Sequence, residues 1–168
     1  KRHKMNINYK TDFEARKPAS NLLLKNYTFL IFALILLLNC SGTKPILIGQ
    51  FSPCPDKPNC VSSKSSLSLH KIAPLTYEGN SKNAREKLLG IINSMPRTQI
   101  SMDNENFIHV EFTSKIFQFV DDVEFYFESP GTIHFRSASR VGHSDMGVNR
   151  DRMEEIRRLF IQAFQGTE

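Results

Sequence analysis

The feature that most constrains the fold is a change in hydrophobic period partway along the chain. Apolar and polar residues alternate over residues 108–113, 123–128 and 133–136, and this region lies between two stretches with helical spacing. A period of two is typical of β-strands, because successive side chains point to opposite faces of the sheet. The pattern therefore predicts an antiparallel sheet with an apolar face that requires a covering layer.

Two amphipathic helices supply that layer. The first is expected to begin near Ser81 as N-cap and to end before Pro96, and the second to run over residues 150–164 with Asn149 as N-cap. Since two helices can cover only one face, we predict an α+β fold: an antiparallel sheet of about four to five strands with both helices packed on one face. The residues expected to face the sheet are Ala84, Leu88, Ile91, Ile92 and Met95, and then Met153, Ile156, Phe160, Ala163 and Phe164.

A turn at Pro130 and Gly131 predicts a β-hairpin, and further short strands are expected near residues 72–77 and 98–102. Matching the apolar faces across the turn predicts these opposite pairs: Phe127 with Ile133, Phe125 with Phe135, Glu124 with Arg136, and Tyr126 with His134. The face away from the helices would carry His109, Glu111, Glu124, Tyr126, His134 and Arg136. This row is either a solvated surface or one wall of a ligand groove. We favour the solvated surface, because antiparallel sheets often leave one face wet.

The positive charge of the chain is confined to its first part. The 168 residues have a formal net charge of +5, and residues 1–39 hold seven Lys/Arg against two Asp/Glu. Over residues 40–168 the remaining 15 Lys/Arg and 15 Asp/Glu cancel. A basic surface of the kind that binds nucleic acid is therefore not expected in the folded part.

Residues 1–39 have the organisation of a signal peptide. A basic region ends at Lys25, and an uncharged run of about twelve residues follows, shorter than the roughly twenty that a membrane-spanning helix needs. The segment Leu37-Leu38-Asn39-Cys40 resembles a lipobox, which implies lipid attachment at Cys40. The alternative is an uncleaved anchor. We expect an exported, lipid-anchored protein of the bacterial cell envelope, in the outer membrane or facing the periplasm.

Cys54 and Cys60 are the two remaining cysteines, and the short loop between them fits a disulfide in an oxidising compartment. Metal binding is the competing interpretation, but this pair supplies only two of the four ligands that structural zinc requires. Residues 40–70 are rich in Ser, Pro and Lys and are expected to form a tether that the loop pins. A single α+β domain is expected over residues 71–168.

A polar stretch at residues 136–150, between the last strand and the last helix, is the candidate functional site. Its three arginines provide planar donors suited to carboxylate or phosphate groups. Nearby carboxylates could complete a ligand site with them or neutralise them. The candidate ligand-binding residues are Asp121, Asp122, Glu124, Arg136, Arg140, His143, Asp145, Asn149 and Arg150.

Catalysis has weaker support in the sequence than binding. His143 and Asp145 are candidates for acid–base chemistry because histidine titrates near neutrality, although a structural loop histidine is the favoured interpretation. Asp121 and Asp122 are expected at a bend between strands, as turn carboxylates or as partners of Arg140. No serine lies in a G-x-S-x-G turn, and no spacing matches a metal-ligand motif. Neither a metal nor another cofactor is expected.

Three further segments have a distinctive sequence: Cys54-Pro-Asp-Lys-Pro-Asn-Cys60-Val-Ser-Ser63, Phe119-Val-Asp-Asp-Val-Glu-Phe125 and Arg136-Ser-Ala-Ser-Arg140-Val-Gly-His143-Ser-Asp145-Met-Gly-Val-Asn149-Arg150. Together, in this order, they resemble the bacterial and plant domain-of-unknown-function family numbered 1499. The resemblance covers residues 51–164. Where relatives often carry Tyr, this chain has His143, so a role that depends on a phenol would not transfer. The resemblance implies no established activity, substrate or catalytic residue.

The combined observations favour a non-catalytic module that binds a small anionic or amphiphilic ligand, or an envelope partner, through residues 136–150. One alternative is a hydrolase-like enzyme that uses His143 and Asp145. The other is a structural or assembly protein in which these charges form a buried network. An arginine without a carboxylate partner would favour binding, whereas mutual pairing of buried charges would favour the structural role.

Overall fold

The computed structural model describes residues 51–165. The elements are β1 (Cys60–Ser62), β2 (Leu75–Thr76), α1 (Ser81–Ser94), β3 (Thr98–Asn104), β4 (Phe107–Thr113), β5 (Val120–Ser129), β6 (Thr132–Ser139) and α2 (Val148–Gln165). The predicted signal peptide at residues 1–39 and the predicted lipidation of Cys40 fall outside the described residues. Within residues 51–165, neither helix has the length and apolar character needed to cross a membrane.

The strands form one antiparallel sheet of six strands in the order β1-β6-β5-β4-β3, and β2 pairs with β6. This arrangement confirms the predicted α+β fold, with one strand more than expected. The additional strand is β1, which lies in the segment predicted as a tether at residues 40–70. The sequence does not reveal this strand, because a strand of three residues is too short to show a period.

The β5–β6 hairpin has the predicted register over most of its length. The observed pairs are Phe125 with Phe135, Glu124 with Arg136, and Tyr126 with His134. The register shifts between Tyr126 and Ser129, where the predicted pairing of Phe127 with Ile133 would have continued the ladder. Alternation along the strands thus assigns each side chain to the correct face, and the irregularity is confined to the turn.

The core lies between the sheet and the two helices. Phe125 and Phe135 from the sheet and Phe160 from α2 are at most 1% exposed. Burial of a side chain of this size stabilises the fold by about 1.5–3 kcal/mol. These rings therefore supply much of the free energy that holds the helices against the sheet. On α1, Leu88 and Ile92 are fully buried one turn apart, as the predicted apolar stripe requires.

Both helix starts differ in detail from the prediction. The N-cap of α1 is Asn80, whose side-chain oxygen accepts from the backbone N–H of Lys82 at 2.7 Å, and Ser81 is the first helical residue. Asn149, predicted as the N-cap of α2, lies inside that helix and is fully buried. Its backbone N–H donates to Asp145 Oδ2 at 2.9 Å, so Asp145 is the capping residue. The sequence offers polar residues at both positions and does not distinguish them.

The predicted disulfide joins Cys54 and Cys60 and closes a loop that packs against residues 142–145. The side-chain amide of Asn59 donates to the carbonyl oxygen of Gly142 at 3.0 Å, and the backbone N–H of Asp145 donates to the carbonyl oxygen of Pro58 at 3.3 Å. The fold therefore brings the disulfide loop to the candidate site at residues 136–150.

Candidate functional site

Six titratable side chains lie together on the sheet face opposite the helices. We call this set the charged face: His109, Glu111, Asp122, Glu124, Arg136 and Arg140. Its centre is buried, since Glu124 is 0% and His109 6% exposed. The prediction of a solvated surface is therefore wrong for the centre of the sheet. Alternation shows which face a side chain occupies, but it does not show how deeply that face is covered.

Arg140 joins two carboxylates across this face. Its Nε and Nη2 donate to Asp122 at 2.8 and 2.7 Å, and Nη2 lies 2.7 Å from Glu111 Oε1. Glu111 and Asp122 are directly opposite each other on β4 and β5, so they would repel without a cation between them. The hydrogen bonds to Asp122 raise the pKa of Arg140 above its ordinary value. Arg140 is therefore an internal partner of the sheet.

Asp122 also contacts His109, whose Nε2 lies 2.7 Å from Asp122 Oδ1. Burial alone would raise the pKa of Asp122, but the hydrogen bonds from Arg140 and His109 outweigh it and lower the pKa below its ordinary value. Asp122 is consequently ionised at neutral pH. The predicted pairing with Arg140 is confirmed, whereas the predicted bend is wrong, because both aspartates lie inside β5.

Glu124 and Arg136 form a second buried pair. Arg136 Nη1 donates to Glu124 Oε2 at 3.1 Å. Within the described residues, Glu124 Oε1 and Arg136 Nε have no hydrogen-bond partner. Burial raises the pKa of Glu124, and attraction to Arg136 only partly opposes this effect. The pair is thus strongly desolvated, and removing one member would leave a buried charge uncompensated.

Asn149 connects three segments on the helix side of the sheet. Its Nδ2 donates to the carbonyl oxygen of Asn59 at 3.2 Å, to Ser139 Oγ at 3.0 Å and to Asp145 Oδ2 at 2.7 Å. Its Oδ1 accepts from the hydroxyl of Ser137, which is fully buried. Asn149 is therefore a structural junction rather than a ligand-facing residue.

Arg152 extends this junction to Asp121. Its Nη1 donates to Asn149 Oδ1 at 2.8 Å and its Nη2 to Asp121 Oδ2 at 2.6 Å. The guanidinium also lies 4.7 Å from the ring centroid of Phe112. Asp121 and Asp122 thus point to opposite faces of the sheet, as expected for neighbours in a strand, and each has its own arginine.

Arg150 differs from the other two arginines of the candidate site. Its guanidinium donates to the carbonyl oxygens of Lys71 at 3.0 Å and Leu69 at 3.1 Å. Among residues 51–165, no carboxylate lies within 4.0 Å of it. Within this part of the chain, the positive charge of Arg150 is therefore not paired with a carboxylate.

Arg150 borders a small cleft of about 250 Å³ between the disulfide loop and the start of α2. We call it the Arg150 cleft. Its lining residues are Pro58, Cys60, Val61, Leu69, Ser144, Asp145, Met146, Gly147 and Arg150. Two large apolar side chains at this cleft are open to solvent, since Met146 is 94% and Leu69 54% exposed. An apolar cleft with a cation at its border can hold an amphiphilic anion.

The structure does not bring His143 and Asp145 together as an acid–base pair. His143 is exposed, and no hydrogen bond joins it to Asp145 in the described part of the chain. Both oxygens of Asp145 are occupied by helix capping: Oδ1 accepts from the backbone N–H of Gly147 at 3.0 Å, and Oδ2 from Asn149. The two residues are therefore placed for loop structure, with Asp145 unavailable as an orienting carboxylate.

Two larger grooves lie elsewhere on the domain. One, of about 570 Å³, separates the start of α1 from the β5–β6 turn, and the other, of about 610 Å³, lies between residues 51–54 and the end of β5. In the second groove, Lys64 forms an ion pair with Glu128. In the first, Arg85 forms one with Asp103, and Lys82 also lines the groove. Neither groove contains a residue predicted as part of the site.

Several residues that build the site could not be recognised from the sequence. Arg152 reads as one of many charged helix residues, and Pro58 and Leu69 read as parts of a tether. Leu69 and Met146 are 77 positions apart in the sequence, so no local pattern indicates that they border the same cleft. The one available signal was the pair of unusual segments, around residues 54–63 and 136–150, which the fold places in contact.

The fold and the site define a small α+β domain in which charged side chains lie across the sheet face opposite the helices, and a disulfide loop meets the start of the last helix. The chain belongs to the family described as Protein of unknown function (DUF1499), whose model matches residues 50–160. This match confirms the resemblance predicted for residues 51–164. No curated protein matches the chain.

Proposed function

We propose that this domain binds a small amphiphilic anion in the Arg150 cleft and that the cleft itself is non-catalytic. The observation that carries the proposal is the uncompensated charge of Arg150. Arg136 and Arg140 are paired with carboxylates on the charged face, whereas Arg150 donates only to backbone carbonyls in the described residues. A guanidinium that retains free charge beside solvent is suited to a carboxylate or phosphate of a ligand.

The cleft supports the amphiphilic part of the proposal. Apolar groups of Pro58, Val61, Leu69 and Met146 line it, and its volume of about 250 Å³ is below the roughly 300–1,000 Å³ of most small-molecule sites. The ligand should therefore insert a short acyl or alkyl chain and leave its anionic end near Arg150. Each methylene group buried in the cleft would contribute about 0.8 kcal/mol.

We further propose that the domain operates in the bacterial cell envelope, attached through a lipid at Cys40. The supports are the basic region and apolar run of residues 1–39 and the Cys54–Cys60 disulfide, which persists in oxidising compartments. An envelope module of this kind would meet amphiphilic anions at the membrane surface.

Calorimetric titration of residues 41–168 with octyl phosphate tests the proposal. Octanol and octyltrimethylammonium serve as matched probes: both keep the octyl group, but octanol is neutral and octyltrimethylammonium is positively charged. We expect saturable 1:1 binding of octyl phosphate and no saturable binding of the two other probes below their solubility limits. Equal binding of all three probes would contradict a role for Arg150.

A pair of substitutions locates the site. Met146→Asp places a carboxylate at the cleft border, where it should compensate Arg150 and abolish binding. Ile161→Asp makes the same change of charge at another exposed apolar residue, on α2, and should leave binding unchanged. Met146 is 94% exposed, so its replacement should not affect folding. If both variants bound octyl phosphate like the wild type, the Arg150 cleft would not be the site.

A further inference from the structure

A chain of three hydrogen-bonded side chains crosses the edge of the sheet. Ser101 Oγ lies 2.5 Å from His109 Nδ1, and His109 Nε2 lies 2.7 Å from Asp122 Oδ1. Ser101 is exposed, whereas His109 and Asp122 are 6% and 3% exposed. The arrangement thus consists of a hydroxyl open to solvent, an imidazole behind it and a buried carboxylate behind the imidazole.

An irregularity in β3 places Ser101 within hydrogen-bonding distance of His109. The register of β3 against β4 shifts between Ile100 and Met102: Ile100 pairs with Val110, and Met102 pairs with His109. Ser101 is therefore the extra residue of a β-bulge, and both it and Met102 lie opposite His109. Bulges redirect side chains and occur often beside active sites. The sequence shows no sign of this one, because the alternation in β4 is regular.

The hydrogen-bond partners define the direction of proton transfer. Asp122 is held by two bonds from Arg140, at 2.8 and 2.7 Å, and as a carboxylate it can only accept from His109. In the neutral imidazole, Nε2 then carries the proton and Nδ1 has the lone pair that accepts from the Ser101 hydroxyl. Asp122 is a positioning residue here, since it selects the tautomer, and Arg140 fixes the carboxylate.

A purely structural role for Ser101 would resemble the role of Ser137, which is fully buried and satisfies a buried amide. Ser101 instead is an exposed residue on the outer strand of the sheet. Its second contact, to the carbonyl oxygen of His109 at 3.3 Å, is longer than the contact to the ring. A hydroxyl in this position is accessible to an incoming electrophile and has a base in direct contact.

We propose that Ser101 is a nucleophilic serine that His109 activates, and that it reacts with acyl or phosphoryl esters at the open edge of the sheet. The Ser101 oxygen forms a bond to the carbonyl carbon or phosphorus, and its proton passes to His109 Nδ1. The ester bond breaks, and the leaving alcohol takes the proton from the imidazolium. Water then attacks the acyl or phosphoryl group and gives a proton to His109 Nδ1, and the Ser101 oxygen takes this proton as its bond to the group breaks. This site is separate from the Arg150 cleft and does not depend on it.

Labelling of the full chain with a fluorophosphonate tests the proposal. The Ser101 oxygen would form a bond to phosphorus, fluoride would leave, and the protein would gain one phosphonyl group. We expect peptide mass mapping to locate the adduct at Ser101 and its rate to exceed that of the exposed serine Ser129 on the order of a hundredfold, as general-base catalysis allows. Ser101→Ala should lose the adduct, and Ser129→Ala should keep it. An adduct at other serines only, or no adduct, would overturn the proposal.

Two variants that each introduce one cysteine, Ser101→Cys and Ser129→Cys, provide a second test that does not require an oxyanion-binding site. A thiol beside His109 should lose its proton more readily than one in open solvent. Ser101→Cys should therefore react with iodoacetamide at pH 6 about tenfold faster than Ser129→Cys. Adding His109→Gln to Ser101→Cys should abolish this advantage, and thermal unfolding would establish that the variant is folded. Equal rates for the two cysteines would contradict activation by His109.

Discussion

The charged face and the Arg150 cleft use the same residue type for opposite purposes. On the charged face, Arg136 and Arg140 are largely buried and contact carboxylates at 2.7–3.1 Å. At the cleft, Arg150 donates only to main-chain carbonyls among the described residues and stands beside exposed apolar side chains. The difference shows that an arginine's partners, rather than its presence in a polar segment, decide whether it can bind a ligand.

Energetics explain why the two regions diverge. A buried charge must be paired, since leaving one partner without the other costs several kcal/mol. A charge at the surface is solvated and can remain without a carboxylate at little cost. Substitutions on the charged face should therefore act mainly on stability, whereas substitutions at the cleft should act mainly on binding.

The largest effect is expected for Arg136→Met. It leaves Glu124, which is 0% exposed, without its cation, so the free energy of unfolding should fall by about 3–5 kcal/mol. Urea unfolding followed by circular dichroism measures the loss. The double variant Glu124→Leu/Arg136→Met should recover most of it. A loss below about 1 kcal/mol in the single variant would show that the charged face is not a structural network.

The second-largest loss of stability is expected for Asn149→Ala. This substitution removes hydrogen bonds to the disulfide loop, to Ser139 and to Asp145. The free energy of unfolding should therefore fall by about 2 kcal/mol or more. Asn83→Ala, at an exposed position of α1, is the matched control and should change stability by less than about 0.5 kcal/mol. Similar effects of the two substitutions would mean that the junction is not structural.

Glu124→Gln is expected to change the free energy of unfolding by less than Asn149→Ala does, and the change should depend on pH. Burial raises the pKa of Glu124 in the folded state, so its ionisation destabilises the wild type increasingly as the pH rises past 4.5. The stability of the variant relative to the wild type should therefore improve between pH 4 and 7, by about 1.4 kcal/mol per unit of pKa shift. Urea unfolding at several pH values measures this slope.

Glu155→Gln is the control with the opposite sign. A hydrogen bond from Arg158 lowers the pKa of Glu155, so the wild type gains stability as the pH rises towards the unfolded value of 4.5, and the gain is complete above it. The stability of this variant relative to the wild type should therefore worsen as the pH rises to 4.5 and change little from there to pH 7. Parallel slopes for the two variants would contradict the burial argument for Glu124.

The smallest change in stability is expected for Arg150→Lys. The substitution keeps the charge at the cleft but loses the planar fork that holds the carbonyls of Leu69 and Lys71. Binding of octyl phosphate should weaken about tenfold, while the free energy of unfolding changes by less than about 1 kcal/mol. Parallel calorimetric titration and urea unfolding measure both quantities. A large loss of stability would place Arg150 with the structural arginines.

The pairing of Glu124 with Arg136 could be predicted from the sequence because it depends on local signals. Alternation assigns both residues to one face, and the turn at Pro130 and Gly131 sets the register between their strands. The pairing of Asp122 with Arg140 was predicted only as an alternative to a role as a turn carboxylate. These predictions extend over fewer than twenty residues, a distance at which periodicity and turn chemistry are informative.

The features that could not be predicted depend on contacts between distant segments. Strand β1 has three residues and becomes a strand only by pairing with β6. The Arg150 cleft needs Pro58 and Leu69 beside Met146, and the capping role of Asp145 depends on a loop that docks on residues 54–60. None of these contacts leaves a periodic trace in the sequence, so they require the folded structure.

A side-by-side measurement of Arg140→Ala and Arg150→Ala tests the central claim most directly. Native mass spectrometry would give the octyl phosphate complex, and urea unfolding would give the stability of the same samples. We predict that Arg140→Ala is clearly less stable but still binds octyl phosphate when folded, whereas Arg150→Ala remains stable and no longer binds it. A stable Arg140→Ala that loses the ligand, together with an Arg150→Ala that retains it, would contradict the account and place the site on the charged face.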